Sequence, residues 1–344
     1  EVLLASAAIV VFGWFNYRGI RVVGRTQLLL LFVMIVAVLL VATGSVLDPG
    51  GTLANLRPPF SPDRSAVSGV LAMVAIAPWM LSGFDTLPQA AEEFAFSPAL
   101  ALRLMRFSIA IGVILYLTVL LATSYLMPWP DLVGAHPAWA TGVATELSMG
   151  SVGVAILSLA VLAGIFTGMN GFFMAASRLM FSMGRAKILP AWFGRLSPAY
   201  GTPSNAILFA AATSLLAPWF GRSALLWVVD MSAVGIAMGF LYTCVGASSL
   251  LKTQPQLAPV WGGPGLAVAG AVVSAGFVAL LLVPGSPAFM AAPSWIALAG
   301  WVVLGIAFYL TRVTDLGGMS RAELDYLILG KGRSGTPHGG IVKG

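Results

Sequence analysis

Apolar residues in this chain come in long, nearly unbroken runs, not in the period-two or period-3.6 patterns of half-buried strands and helices. The hydrocarbon core of a bilayer takes roughly 20 predominantly apolar residues of helix. Nine stretches meet or approach that length: 1–15, 26–46, 67–91, 104–127, 148–177, 204–220, 224–250, 264–284 and 292–311. They predict nine membrane-spanning helices, the first one cut short, joined by brief loops. The remaining segment, 312–344, is rich in Gly, Lys and Arg. The expected architecture is therefore an all-α polytopic membrane domain over 1–311 and a polar tail over 312–344.

Composition supports that pattern. Of 344 residues, 59% are apolar and only 9% charged, against about 25% charged in soluble globular proteins; the mean hydropathy is +0.94. Disordered, collagen-like and ordinary soluble chains are excluded. The net charge of +6 reports topology, not nucleic acid, because the basic residues fall between the apolar runs. Fifteen of the 18 Lys and Arg lie on one side of the nine-span layout, and Arg57, Arg64 and Arg222 on the other. The rich side is expected to be cytoplasmic, which puts the C-terminus inside an inner (plasma) membrane and Glu1 outside. An odd number of earlier helices is then expected upstream. One cysteine, Cys244, and two histidines, His136 and His338, allow no disulfide framework, thiolate metal site or HExxH pair. Neither a cofactor nor enzymatic chemistry is expected, since no GxSxG, P-loop or acid-rich metal motif occurs.

Three spans depart from plain lipid-facing helices. In 67–91, Pro78 and Pro88 bracket Ser82, Gly83, Asp85 and Thr86. Two prolines and a glycine remove helix hydrogen bonds, and irregular backbone at membrane depth is tolerated only inside protein or beside a wet cavity. Such broken helices carry ion and substrate sites in transporters. The freed carbonyls near Leu81 and Ser82 suit an ammonium group, and the N–H groups after Gly83 suit a carboxylate. The plainer alternative is a kinked packing helix that Asp85 caps. In 148–177, Thr167, Asn170 and Ser177 accompany Gly164, Gly168 and Gly171, whose spacing puts the glycines on one face and reads first as a packing seam. In 224–250, Asp230 is either a cation or proton site or an interfacial acid that reaches water. Glu92 and Glu93, near Arg103 and Arg106, read as a solvated cluster.

Specific strings add to this. GFDTLPQAAEE (83–93), ASRLMFSMGRAKILPAWFGRLSPAYGTPSNAI (176–207) and FNYRGIRVVGRTQ (15–27) resemble, in order and spacing, parts of the amino acid–polyamine–organocation (APC) permeases. The resemblance implies a LeuT-like inverted-repeat bundle of which nine of twelve helices, the fourth to the twelfth, are present. It implies a substrate site at the broken sixth helix with Trp79, Leu81, Ser82 and Gly83 as contacts and Phe172 as an aromatic gate. It also implies Asp85 as a proton-coupling candidate and Thr167 as an ion-site candidate; Asp230, from its place in the 224–250 run, is the second proton-coupling candidate. A proton-coupled relative carries a lysine in the fifth helix; the matching position here is Met34, and 26–46 holds no Lys or Arg.

The expected function is secondary active transport of an amino acid or related amine by alternating access, coupled to protons or possibly sodium, with the lipid bilayer and not nucleic acid as partner. A transport-inactive scaffold or amino-acid sensor of the same fold is the alternative. Substrate, coupling ion and oligomeric state are open from sequence.

Overall fold

The computed structural model describes residues 2–89, 96–134, 139–221, 223–255 and 262–312, together with Ser320 and Glu323. The acids Glu92 and Glu93 and most of the tail 312–344 lie outside the described residues. Within them are ten α-helices and no strand: α1 (Val2–Arg18), α2 (Ile20–Leu47), α3 (Ala66–Met80), α4 (Pro98–Leu126), α5 (Trp129–Gly134), α6 (Ala140–Arg185), α7 (Ser204–Ser214), α8 (Ser223–Thr253), α9 (Gly263–Leu282) and α10 (Ala292–Leu310).

Among the described residues seven segments are long and apolar enough to cross a bilayer: Gly24–Leu47, Ala66–Thr86, Ala99–Leu126, Ala140–Arg185, Ala224–Thr253, Gly263–Leu282 and Ala292–Leu310. The chain is thus an all-α polytopic membrane protein. Two of the nine predicted spans are shorter apolar helices, Val2–Arg18 and Ser204–Phe220. In the second, the α-helix ends at Ser214 and a 3-10 turn, Ala217–Phe220, finishes the run. Pro218 accounts for this, since it offers no N–H and disfavours α backbone at the residue before it. The predicted span 148–177 lies within a 46-residue helical run, Ala140–Arg185, that breaks its regular backbone at Gly150 (φ 61°, ψ −156°). That conformation is strained for any residue with a side chain.

Local chemistry sets the other helix starts. The Ser65 side chain accepts from the Ser68 N–H ahead of α3, and Ser97 accepts from Leu100 N–H ahead of Pro98 at the start of α4. Within the spans, hydroxyls turn back onto their own helices: Ser45 donates to Val41 O, Thr123 to Val119 O and Ser158 to Val154 O. This is how a hydroxyl stays satisfied where no water is available.

α2 and α6 pack along much of their length, with Ala37, Val38 and Ala160 in the seam and Leu115 and Val119 of α4 closing it. α1 lies on α6 and α7 through Ile9, Phe12 and Phe173. On the other side of the molecule α8 carries α3, α9 and α10, and Ala75, Ala233 and Ala237 are fully buried there. Small residues let these backbones approach closely.

The connection from α6 to α7 is unusually well tied down. Phe193, 1% exposed, meets the rings of Trp192, Phe209 and Phe308 at 4.8, 5.2 and 5.7 Å. Thr202 Oγ1 donates to the Tyr17 carbonyl of α1 at 2.8 Å. The Arg18 guanidinium lies 4.6 Å from the Trp14 ring and 5.6 Å from that of Tyr200. Gly184 and Gly194 touch: a Cβ on Gly184 would stand 2.6 Å from the Gly194 nitrogen. Backbone cannot yield as a side chain does, so Gly184→Ala is expected to destabilise by about 1–3 kcal/mol. Gly168→Ala, where a Cβ meets nothing within 4 Å, serves as the control. A lower melting temperature in detergent for the first variant only is the expected result.

Candidate functional site

α3 ends at Met80, and the chain does not resume a helix at once. Leu81 sits at φ −96°, ψ 1°, and Gly83 at φ 130°, ψ −41°, before a single 3-10 turn, Phe84–Thr86. The Gly83 conformation is one that only glycine adopts at low cost. The broken-helix expectation for 67–91 is therefore met, with the break at residues 81–83.

The hydrogen bonds around the break fall unevenly. Ser82 donates both its N–H and its Oγ to Trp79 O, at 3.1 and 2.8 Å. Tyr116 of α4 donates its hydroxyl to Met80 O at 2.8 Å. The N–H and Oγ1 of Thr86 both go to Gly83 O, at 3.2 and 2.6 Å. Asp85 Oδ1 accepts from Gly83 N–H at 2.7 Å. Among the described residues, nothing donates to the carbonyls of Leu81 and Ser82. The broken helix is thus present, and Asp85 bonds back to the glycine that precedes the 3-10 turn. The acid occupies Gly83 N–H; of the N–H groups after Gly83, those of Phe84 and Asp85 have no acceptor among the described residues.

Beside the break lies a cavity of about 450 Å³. Its wall includes Leu81, Ser82, Gly83, Phe84 and Thr86 from the break, Gln27, Leu31 and Met34 from α2, Gly112 and Tyr116 from α4, and Gly164, Thr167, Gly168, Gly171 and Phe172 from α6. Five of the candidate residues, Leu81, Ser82, Gly83, Thr167 and Phe172, therefore share one space. Trp79 and Asp85 are not among the lining residues, although both flank the break. Asp230 is elsewhere: on α8, it accepts a 2.6 Å hydrogen bond from Ser294 of α10, whose side chain is buried.

The glycine face of α6 meets the packing-seam expectation in part. Gly164, Gly168 and Gly171 line the cavity; a Cβ on Gly164 would meet Met34 Sδ of α2 at 3.4 Å, whereas one on Gly168 or Gly171 would meet no atom within 4 Å. Gly164 thus sits in the α2–α6 seam, and Gly168 and Gly171 border open volume. Met34, the position where a relative carries lysine, faces the same cavity.

Sequence reasoning missed Gln27, Asn16 and Tyr116. Asn16 Nδ2 donates to Phe12 O and to Asn170 Oδ1, at 2.9 and 3.0 Å. Asn170 Nδ2 donates to Gln27 Oε1 at 3.1 Å, and Gln27 Nε2 donates to Thr167 O at 3.2 Å. The usable signal was an uncharged amide within or at the edge of three separate apolar runs, since buried polar groups must find one another.

A second space of about 460 Å³ adjoins the first and shares Met34, Gly112, Leu115, Tyr116 and Gly164 with it. Val38, Val119, Leu157, Ala160 and Val161 make its lining mainly apolar.

A membrane-depth helix break that opens onto a partly polar cavity between four helices defines a polytopic membrane protein built around a discontinuous span. The chain belongs to the amino acid permease family, whose model matches residues 1–308. It is 30% identical over 227 residues to an uncharacterized transporter of Rhizobium meliloti (61% of this chain, 45% of the relative). It is 26% identical over 262 residues to a branched-chain amino acid permease of Lactococcus lactis (75% and 54%). A methylthioribose transporter of Bacillus subtilis is 25% identical over 253 residues (73% and 52%). The chain spans about half the length of these relatives.

The break makes a direct prediction. A Cβ at Gly83 has open space, nothing lying within 4 Å, so Gly83→Ala acts through backbone strain alone, about 1–3 kcal/mol. The expected outcome is a protein that stays monodisperse in detergent but loses ligand-induced thermal stabilisation. Unchanged stabilisation would show that the glycine conformation is dispensable.

Proposed function

We propose that this chain is the substrate-binding part of a secondary transporter for amino acids or related amines in a cytoplasmic membrane, working by alternating access. The observation that carries the reading is the pair of carbonyls, Leu81 and Ser82, on residues of the cavity wall and without a donor among the described residues. A bare carbonyl at membrane depth is costly unless something donates to it. A substrate ammonium has three N–H donors and meets that need. Gly83 supplies the turn, and Thr167, where an ion would find a hydroxyl, and Phe172 complete the wall; Trp79 adjoins it on the helix side of the break. The adjoining apolar space suits an apolar side chain.

Proton coupling centres on Asp85 in this reading. An ionised carboxylate is a strong acceptor for Gly83 N–H, and protonation weakens that bond. Proton binding and the geometry of the break are then linked through one contact. Asp230, hydrogen-bonded to Ser294 on the far pair of helices, is the second candidate.

The test uses the intact protein in proteoliposomes, with labelled amino acids and an imposed pH gradient. Wild type is expected to accumulate substrate in response to the gradient. Asp85→Asn keeps an oxygen that can accept from Gly83 but removes the charge. It should retain counterflow exchange and lose at least about tenfold of gradient-driven uptake. Unchanged pH dependence removes Asp85 from the coupling role; absence of counterflow in wild type removes transport and favours a sensor or scaffold.

A further inference from the structure

One face of α1 is uncovered among the described residues. Leu3, Leu4, Val10, Val11, Trp14 and Arg18 fall on it at helical spacing, and all six are exposed. The opposite face is buried against α6 and α7 through Ile9, Phe12 and Asn16. From Leu3 to Trp14 the uncovered face runs for roughly 16 Å at the helical rise. One leaflet of a bilayer's hydrocarbon core is about 15 Å deep. The stripe therefore has the length of a leaflet, and it ends in an indole ring and a cation.

That cation is held in place. The Arg18 guanidinium lies against the Trp14 ring, one helical turn back, and against the Tyr200 ring in the α6–α7 connection. Tyr200 is itself fixed. Its loop is closed by Gly201 N–H to Ser197 O at 2.8 Å and Ser197 N–H to Thr202 O at 2.7 Å, and its ring meets that of Tyr17 edge-on at 5.4 Å. A guanidinium carries five N–H donors, yet among the described residues no acceptor and no acid takes one from Arg18. Segments 14–27 and 186–205, which meet at this corner, hold five Lys and Arg and no Asp or Glu. Lys187 reaches Glu323 at 3.8 Å, whereas Arg25 and Arg195 are exposed and pair with no acid among the described residues. A helix C-terminus favours any cation, and lysine would serve it as well. A planar fork set against rings with its donors unused is the arrangement that receives a phosphate.

We propose that this corner binds an anionic phospholipid. Arg18 takes the headgroup phosphate, Trp14 and Tyr200 hold the guanidinium at the membrane–water boundary where such rings gather, and an acyl chain lies along the exposed stripe of α1. The stripe selects a lipid over inorganic phosphate, because only a lipid covers it. The unpaired charges select an anionic lipid over a choline lipid, whose headgroup would bring a further cation among Arg18, Arg25 and Arg195. This surface faces the bilayer, and the inference does not rest on the transport reading.

The experiment titrates the intact, delipidated protein in detergent with dioleoylphosphatidylglycerol, dioleoylphosphatidylcholine or sodium phosphate, and reads the concentration that gives half of the thermal stabilisation. Wild type should respond to phosphatidylglycerol at about fivefold lower concentration than to phosphatidylcholine, the effect of one cation at a membrane surface. Arg18→Gln should bring the two lipids to within about twofold. Arg64→Gln, which removes an exposed cation in the loop before α3, should leave the preference intact. If Arg18→Gln is not monodisperse, Arg18→Met, which keeps an apolar stem against the rings, is read by the same criterion. Equal responses of wild type to the two lipids overturn the proposal without any variant. A preference that survives the loss of Arg18, or that Arg64→Gln abolishes equally, overturns the site. Stabilisation by sodium phosphate as strong as that by phosphatidylglycerol makes the ligand a free anion and overturns the lipid assignment.

Discussion

The structure turns on the requirement that backbone polar groups in a bilayer be satisfied from within the protein. Along most of the chain regular helix meets it, and hydroxyls such as Ser45, Thr123 and Ser158 conform by bonding to their own helices. At residues 81–83 it is not met, and the local apparatus keeps it that way. Gly83 takes a backbone conformation closed to other residues, Tyr116 holds Met80 O, and Thr86 holds Gly83 O. The carbonyls between them are left bare beside a cavity. A break of this kind is stable only where neighbouring helices shield it from lipid, and α2, α4 and α6 do so here.

Much of this was legible in the sequence, for a physical reason. Long apolar runs have few alternatives in an all-helical membrane protein, so element type and approximate limits follow from run length. The α3 break was legible because Pro78, Gly83 and Pro88 each act on the backbone locally. The α6 glycine face was only half legible, for the opposite reason. Spacing places Gly164, Gly168 and Gly171 on one face, but whether a helix or a void stands across from them depends on α2 and α4, which spacing does not address. The amide ladder escaped likewise: Asn16, Gln27 and Asn170 are unremarkable singly, and only the packing of α1, α2 and α6 joins them. The 46-residue run of α6 and the short α7 show the usual limit, that helices extend past apolar boundaries or stop early at a proline.

The strings that carried the family resemblance have structural causes that differ from the site's. The stretch 176–207 is recognisable because its connection admits little variation. Gly184 and Gly194 are in backbone contact, Phe193 fills a closed aromatic nest, and Thr202 ties the loop to Tyr17 of α1. None of these residues lines the cavity. The relatives similar in sequence are named for substrates that range from branched-chain amino acids to methylthioribose. Family membership therefore fixes the scaffold well and the ligand poorly, and the ligand has to be argued from the wall of the cavity.

That wall carries both kinds of backbone group at the break. Unwinding a helix frees donors and acceptors together: among the described residues the Leu81 and Ser82 carbonyls have no donor and the Phe84 and Asp85 N–H groups no acceptor, while Asp85 takes the Gly83 donor. The break therefore offers oxygens and N–H groups side by side, with the Asp85 carboxylate as its charge. Across from it, Gln27 of α2 and Gly164, Gly168 and Gly171 of α6 line the cavity with no formal charge. A single hydrogen bond, from Gly83 N–H to Asp85, ties this acid to the backbone at the glycine, so a change at that carboxylate acts directly on the turn that exposes the Leu81 and Ser82 carbonyls.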